Sequence, residues 1–573
     1  QTEEIIKHPL QQVEPLGVFE PLKVTEDWAY GLRNTEKVHA QGSAARSNVT
    51  PPQLLNGFEA GSSTSIPNDN DIAISRDGMV VSVTNSILEV YDPNGVLLNR
   101  VSLNAFGRTP SRNSFKYDPR VMYDPNRDRF VVLYLNGSNS NVSQIVVAFS
   151  QTQDPTGLWR VYALDGNLRP GGQNVWCDYP AVGMSNDELF ITGNLFLDNQ
   201  QSSPGTGIWQ IDLESGFNGP VLKVQPFFLG GAFSMVPVRG GRNTYGPEYY
   251  FVRRDRGNIA QGGVVLHTLT NTIDNGGIFT TPVSLRTNLT SAPPPEARQP
   301  GSSILLSSGD GRLQAAYKEG DRIYYAGGVA ANGGRPGILF GTIRISPLNP
   351  TFSRADAQYI SSDSLDIGYP SMVFGGCTSS DGVSSTILGF NISSPNHFSG
   401  AGVVFIDTLG EASPVLITSE GEGAIRFGQN GVSRWGDYTG MASRFPGEAW
   451  MSGYHILAGG QNATWITQVL SNCRTAGTTT SVEDPEVSIS LQVFPNPTHD
   501  MVYLTFEVPE NGFYESIIRD LTGREVKRLV GDQLVTGTVR AGFNATMLPN
   551  GQYFLVLEKD GRPVGGKSFL VQH

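Results

Sequence analysis

The sequence predicts an all-β chain: a β-propeller of seven blades, followed by a small immunoglobulin-like β-sandwich. Three observations predict it. Short runs rich in β-branched and aromatic residues recur, separated by Gly, Pro, Asn and Asp turns, and no long amphipathic helical window interrupts them. A short acidic, proline-bearing motif repeats ahead of an apolar run, about every 50–60 residues. The last ninety or so residues alternate polar and apolar more strictly than the rest, with closely spaced turns.

The organisation follows in chain order. Residues 1–61 read as irregular and polar, with Val49-Thr50-Pro51-Pro52 breaking any helix. Residues 62–470 carry the repeat. Ile72-Ala73-Ile74-Ser75, Arg76-Asp77-Gly78 and Met79-Val80-Val81-Ser82-Val83 form a strand, a turn and a strand. Four lines show the motif best: Tyr117-Asp118-Pro119-Arg120, Cys177-Asp178-Tyr179-Pro180, Asp366-Ile367-Gly368-Tyr369-Pro370 and Arg434-Trp435-Gly436-Asp437-Tyr438. Weaker units begin at Asn68, Phe233 and Asp310, which makes seven. One small twisted sheet cannot cover both of its faces, whereas a closed ring of sheets can. Residues 471–486 read as a polar linker. Residues 487–573 read as the sandwich: Ile489, Leu491 and Val493 alternate, as do Val502, Leu504 and Phe506, with about seven short strands expected.

Composition excludes several classes. The chain has 573 residues and a net charge of -12, which argues against nucleic acid and anionic lipid as partners. It holds no apolar run of ~18 residues. It opens on Gln1 without a basic-then-apolar leader, which reads as a product whose signal peptide has gone, although a trimmed chain would look the same. Cys177, Cys377 and Cys473 lack zinc spacing and are too few for a disulfide framework. They allow one bridge and one free thiol, and the sequence leaves the pairing open.

The tail resembles a known family on four segments: Val493-Phe494-Pro495-Asn496-Pro497, Asp520-Leu521-Thr522-Gly523-Arg524, Leu548-Pro549-Asn550-Gly551-Gln552-Tyr553, and Lys567-Ser568-Phe569-Leu570-Val571. These resemble the C-terminal sorting domain of the type IX secretion system. The resemblance implies export across the outer membrane of a Gram-negative bacterium, display at the cell surface or release, and a translocon or outer-membrane barrel protein as partner. It makes Pro495, Asn496, Pro497, Asp520, Gly523, Arg524, Gly551, Tyr553 and Lys567 the expected sorting signal. A second, slighter resemblance links Asp178-Tyr179-Pro180 and Arg434-Trp435-Gly436-Asp437-Tyr438 to uncharacterised secreted propellers grouped with sialidase-like folds. Fold analogy does not give function.

Chemistry-bearing motifs are sparse. Gly561-Arg562-Pro563-Val564-Gly565-Gly566-Lys567-Ser568 satisfies a phosphate-loop pattern. That chemistry needs a helix after the loop, and a strand-like Phe569-Leu570-Val571 follows instead. No H-E-x-x-H, G-x-S-x-G or full Asp-box is present. Inner strands of a propeller share one direction, so Asp118, Asp178, Asp366 and Asp437 are expected to converge at one mouth of the channel. Converging carboxylates need arginines such as Arg120, Arg312 and Arg434, backbone donors, or a cation, for which calcium is the suited candidate. The competing and preferred reading is that each carboxylate accepts N–H groups in its own turn. Asp363-Ser364-Leu365 and Asp407-Thr408-Leu409 match an O-glycosylation signal of the phylum that the tail implies, which makes Ser364 and Thr408 candidate modification sites. The expected function is a surface-displayed propeller that binds or scaffolds surface proteins or glycans and needs no cofactor, catalysis being the less expected role. The alternative is an extracellular glycan hydrolase or lyase on the same fold.

Overall fold

The computed structural model describes residues 4–20, 49–63, 67–106, 115–198, 200, 202–331, 333–345, 355–428, 430–473, 491–520, 525–546, 548–559 and 562–573. The chain divides into two compact units, residues 1–475 and 476–573. Among the described residues, the first unit holds seven sheets of four or more strands and one two-stranded sheet.

Each of the seven sheets opens on one repeat unit. Their first strands are Asp71–Ile74, Lys116–Asp124, Val175–Met184, Val236–Pro237, Leu313–Glu319, Asp366–Thr378 and Gly440–Phe445. Later strands follow as antiparallel hairpins. The first strands touch in succession, and the seventh touches the first, so the succession closes on itself. Apolar side chains of consecutive sheets pack together: Val81, Val90 and Phe106 with Val132 and Trp159, and Val147 and Phe149 with Trp209 and Phe217. Inner strands thereby cover both of their faces, which explains near-continuous buried runs such as Phe130–Leu135.

Closure uses both ends of the unit. The seventh sheet is completed by Gln53–Ser63, which pairs antiparallel with Asn462–Leu470. Cys377, on the first strand of the sixth sheet, is bridged to Cys473, just past the last strand of the seventh. Cys177 is free and buried. The segment read as irregular also contains Ile5–Lys7 and Gln11–Val13, which edge the third sheet, and Gly17–Phe19, which edges the second. Three-residue strands carry no alternation, and their partners lie far along the chain, so nothing local announces them.

Among the described residues, the second unit is built on fewer and longer strands than expected. Leu491–Phe494, Met501–Arg519, Glu525–Asn544, Gly551–Lys559 and Arg562–Val571 form one five-stranded sheet. Met501–Arg519 runs on through Pro509-Glu510-Asn511-Gly512 with a shift of register between Val508 and Gly512. Leu504, Phe506, Ile518, Leu555 and Phe569 form the core. The phosphate-loop match falls on the last strand, with no helix to present amides to a phosphate.

Candidate functional site

A left-handed residue stands just ahead of, or within, six of the seven first strands. Asp69, Asp118, Tyr179, Ser234, Gly311 and Tyr369 all have φ between 46° and 81°. Each stands two positions before the residue at which pairing starts, Asp71, Val236 and Leu313, or resumes after a bulge, Arg120, Ala181 and Ser371. Five of the six are not glycine, and such residues cost on the order of 1–3 kcal/mol each, so the surroundings must hold them. Asparagines do part of this. Asn85 accepts a hydrogen bond from the amide of Asp118 at 2.9 Å, and Asn194 accepts one from the amide of Ser234 at 2.6 Å. Asn85 follows the second strand of the first sheet, Asn194 lies within the second strand of the third, and each latches the turn of the next sheet. These latches were missed in the sequence, where the one signal is an Asn after an apolar run.

The left-handed turns gather the acids. Asp69, Asp118, Asp178 and Asp437 lie close enough to act on one another electrostatically. Burial, with Asp437 beside it, pushes the Asp69 carboxyl up to about 8. Burial pushes Asp178 up to about 6, against the opposing pull of the Tyr179 amide. Burial and then Asp178 push Asp118 well above the ordinary carboxylate range. Asp69 accepts from the Asp437 amide at 2.9 Å and from Asn85 Nδ2 at 2.5 Å. Arg434 pairs with Asp437. Asp71 lies deeper, 4.0 Å from Arg120 and 3.8 Å from Arg239.

Asp366 does not join this group. Its carboxylate is fully buried and held by Arg298 at 2.8 Å and Arg335 at 3.3 Å. The reason is register: Asp178 immediately precedes its tyrosine, whereas Asp366 stands three residues before Tyr369, and Gly368 occupies the equivalent position. Of the four aspartates expected to converge, Asp118, Asp178 and Asp437 do so, and Asp69 stands with them where Asp366 was expected. Among the described residues no group of three or more His, Cys, Asp or Glu is placed to hold a metal ion. Amide, asparagine and arginine partners take up the carboxylates of Asp69, Asp178 and Asp437.

Large side chains close the middle of the ring. The Arg120 guanidinium lies 3.2 Å from the centre of the Tyr438 ring, and Tyr438 meets Tyr179 edge-on at 6.3 Å. The Tyr438 hydroxyl donates to the Pro119 carbonyl at 2.9 Å, and Gln314 donates to the Asp437 carbonyl at 3.0 Å. Beside them lies a cleft of about 30 Å³ lined by Tyr179, Asp310, Arg312, Gln314, Tyr369 and Asp437.

Elsewhere the candidate residues lie apart. Thr408 sits in a hairpin turn in which Asp407 accepts from the amides of Leu409 and Glu411, each at 2.9 Å, and Leu409 is 83% exposed. Ser364 is half-buried, with its amide donating to Ser362. In the tail, Asn496 bonds the last strand at both ends of its amide, accepting from Leu570 N at 2.8 Å and donating to the Ser568 carbonyl at 3.3 Å. Pro495 and Pro497 flank it. Tyr553 donates to the Pro549 carbonyl at 3.0 Å, Gly551 opens its strand, and Lys567 is exposed on the last strand. Asp520 follows the end of the long second strand; Gly523 and Arg524 lie outside the described residues.

Residues 492–572 match the family model of the secretion system C-terminal sorting domain. The chain is therefore an export substrate of the type IX secretion system, secreted or attached at the surface of a Gram-negative bacterium. No curated protein matches it. Among solved structures it is similar to a fungal alcohol oxidase of the AA5 family in complex with copper, at 12% identity and TM-score 0.40, over 94% of this chain and 100% of that one. It is also similar to the GH93 α-L-arabinofuranosidase of Fusarium graminearum, at 11% identity and TM-score 0.34, over 74% of this chain and 98% of that one. A third is the α-L-arabinanase of Penicillium chrysogenum, at 11% identity and TM-score 0.32, over 74% and 99%. None of these likenesses bears on activity.

Proposed function

We propose that the seven sheets are the blades of a seven-bladed propeller that binds or scaffolds surface proteins or glycans without catalysis. The tail, a small sandwich, is proposed to deliver it to the cell surface through the sorting residues named above, and Ser364 and Thr408 to carry O-glycans. One observation carries the binding reading: the mouth has room for about 30 Å³, roughly one water molecule, where small-ligand pockets run to about 300–1,000 Å³. A glycosidase must admit a sugar ring and, for inversion, a water between its two carboxyl groups. The Arg120–Tyr438–Tyr179 stack occupies that place. The acids are then parts of the ring's own turn-and-latch system.

The hydrolase or lyase reading draws on the same mouth, where Asp178 is held near pH 6 beside Arg312 and Arg434. The purified protein incubated with a panel of plant and bacterial polysaccharides separates the two. The binding reading expects co-sedimentation with a polysaccharide or a surface-protein fraction and no new reducing ends. Release of reducing ends that stops in Asp178→Asn would replace it with the enzymatic reading.

A further inference from the structure

Beside the mouth, the first unit carries a row of half-buried aromatic rings interleaved with arginines. Trp176 and Phe196 face each other across the first two strands of the third sheet, with ring centres 5.4 Å apart. Phe233, just ahead of the fourth sheet, meets Phe196 edge-on at 6.2 Å. The Arg256 guanidinium lies on Phe233, 3.7 Å from its centre. Arg312 lies 5.5 Å from Phe233 and 4.3 Å from Tyr179, which brings the row to the edge of the mouth. All three outer rings are only half-buried and Arg256 is exposed.

The two arginines differ in what they already hold. Arg312 is committed to Asp310 through two hydrogen bonds of 2.7 and 2.8 Å. Arg256 makes no ion pair among the described residues; the charges that act on it are Asp310, which attracts, and Arg312, which repels. A guanidinium stacked on a ring spends its flat face there and keeps its in-plane N–H donors, whose fork matches a carboxylate. Aromatic faces beside it suit the C–H face of a sugar ring, whose rim of hydroxyls needs hydrogen-bonding neighbours such as Asp310 and Gln314. An acidic chain of net charge -12 gains nothing from long-range attraction to an anion, so a local cation must supply it.

We propose that Trp176, Phe196, Phe233 and Arg256 form a binding platform for a carboxylated polysaccharide, a sugar ring lying on the aromatic rings and its carboxylate paired with Arg256. This assignment rests on the reading of the propeller as a binding module and names its ligand class.

The test is electrophoresis of the full chain in native gels containing polygalacturonate or hyaluronan, beside gels containing neutral galactan. Retardation in the two acidic gels alone is expected. Arg256→Ala and Trp176→Ala should each weaken it about tenfold with an unchanged thermal melt, and Arg256→Lys, which keeps the charge but not the fork, should recover only part. Absence of retardation of the native chain in both acidic gels would overturn the platform. So would retardation that survives both alanine changes, or retardation by galactan alone, although the last leaves the binding reading standing. New reducing ends in the polygalacturonate sample would instead end the non-catalytic reading, and the platform would stand only if both alanine variants abolished them.

Discussion

Asp69 is pulled two ways. Asn85 and the Asp437 amide donate to its carboxylate, while burial and the Asp437 charge raise its proton affinity to a midpoint near pH 8. In the unfolded chain the midpoint is about 3.9. The native state therefore binds the proton first as pH falls, and stability rises as pH drops through 8. Glu188, pushed up to about 7 by burial, acts in the same sense. His267, buried and lowered to about 3, opposes it only below its unfolded midpoint of about 6.5. Between pH 8.5 and 6.5 the melting temperature should thus rise by a few degrees as pH falls, and Asp69→Asn should flatten the slope; a flat profile in the native chain would remove the argument. Thr408 presents the second case at this scale. Thr408 and Ser364 are both half-buried, but Thr408 lies on a hairpin turn whose neighbour Leu409 is 83% exposed, which gives a modifying enzyme access. Intact-mass measurement of protein from its native source should show added mass that falls in Thr408→Ala and, less fully, in Ser364→Ala.

At the scale of elements, the last sheet is where the ring can come apart. It depends on Gln53–Ser63 returning to Asn462–Leu470, and the Cys377–Cys473 bridge ties its end to the neighbouring sheet across 96 residues of sequence. Cross-links that close long loops contribute about 2–5 kcal/mol. The double change Cys377→Ser with Cys473→Ser should lower the melting temperature by several degrees, and reductant should do the same to the native chain and nothing to the variant. All seven first strands were legible because each is announced by its own turn chemistry: acid, proline or glycine ahead of an apolar run. The returning strands were not, since Ile5 finds Leu229 across nearly half of the unit and Gln53 finds Leu470 across most of it, and no local pattern encodes either pairing. The site was legible in part for the same reason. Asp118, Asp178 and Asp437 sit in the recurring turn, while Asp366 looks alike in sequence and falls two residues out of register, into the hold of Arg298 and Arg335.

At the scale of the molecule, the two units divide labour along the chain. The sorting match begins at residue 492, and what precedes it is one closed succession of sheets. Deleting Ser488 to His573 should leave the first unit folded and strand it in the periplasm, as assayed by cell fractionation and surface proteolysis; surface delivery of the shortened chain would remove the tail's role. Inside the first unit, stability is shared round the ring, because each sheet buries its faces only against its neighbours.

The strand that completes the ring and the start of the matched export signal are separated by only the stretch from Leu470 to residue 492. Ribosomes make the chain from the other end, so any product cut short before Asn462 lacks the partner that Gln53–Ser63 needs and lacks the address as well. Incomplete rings are therefore never labelled for export. The position of the signal acts as a proofreading step, sorting finished chains from fragments without any device that inspects the fold.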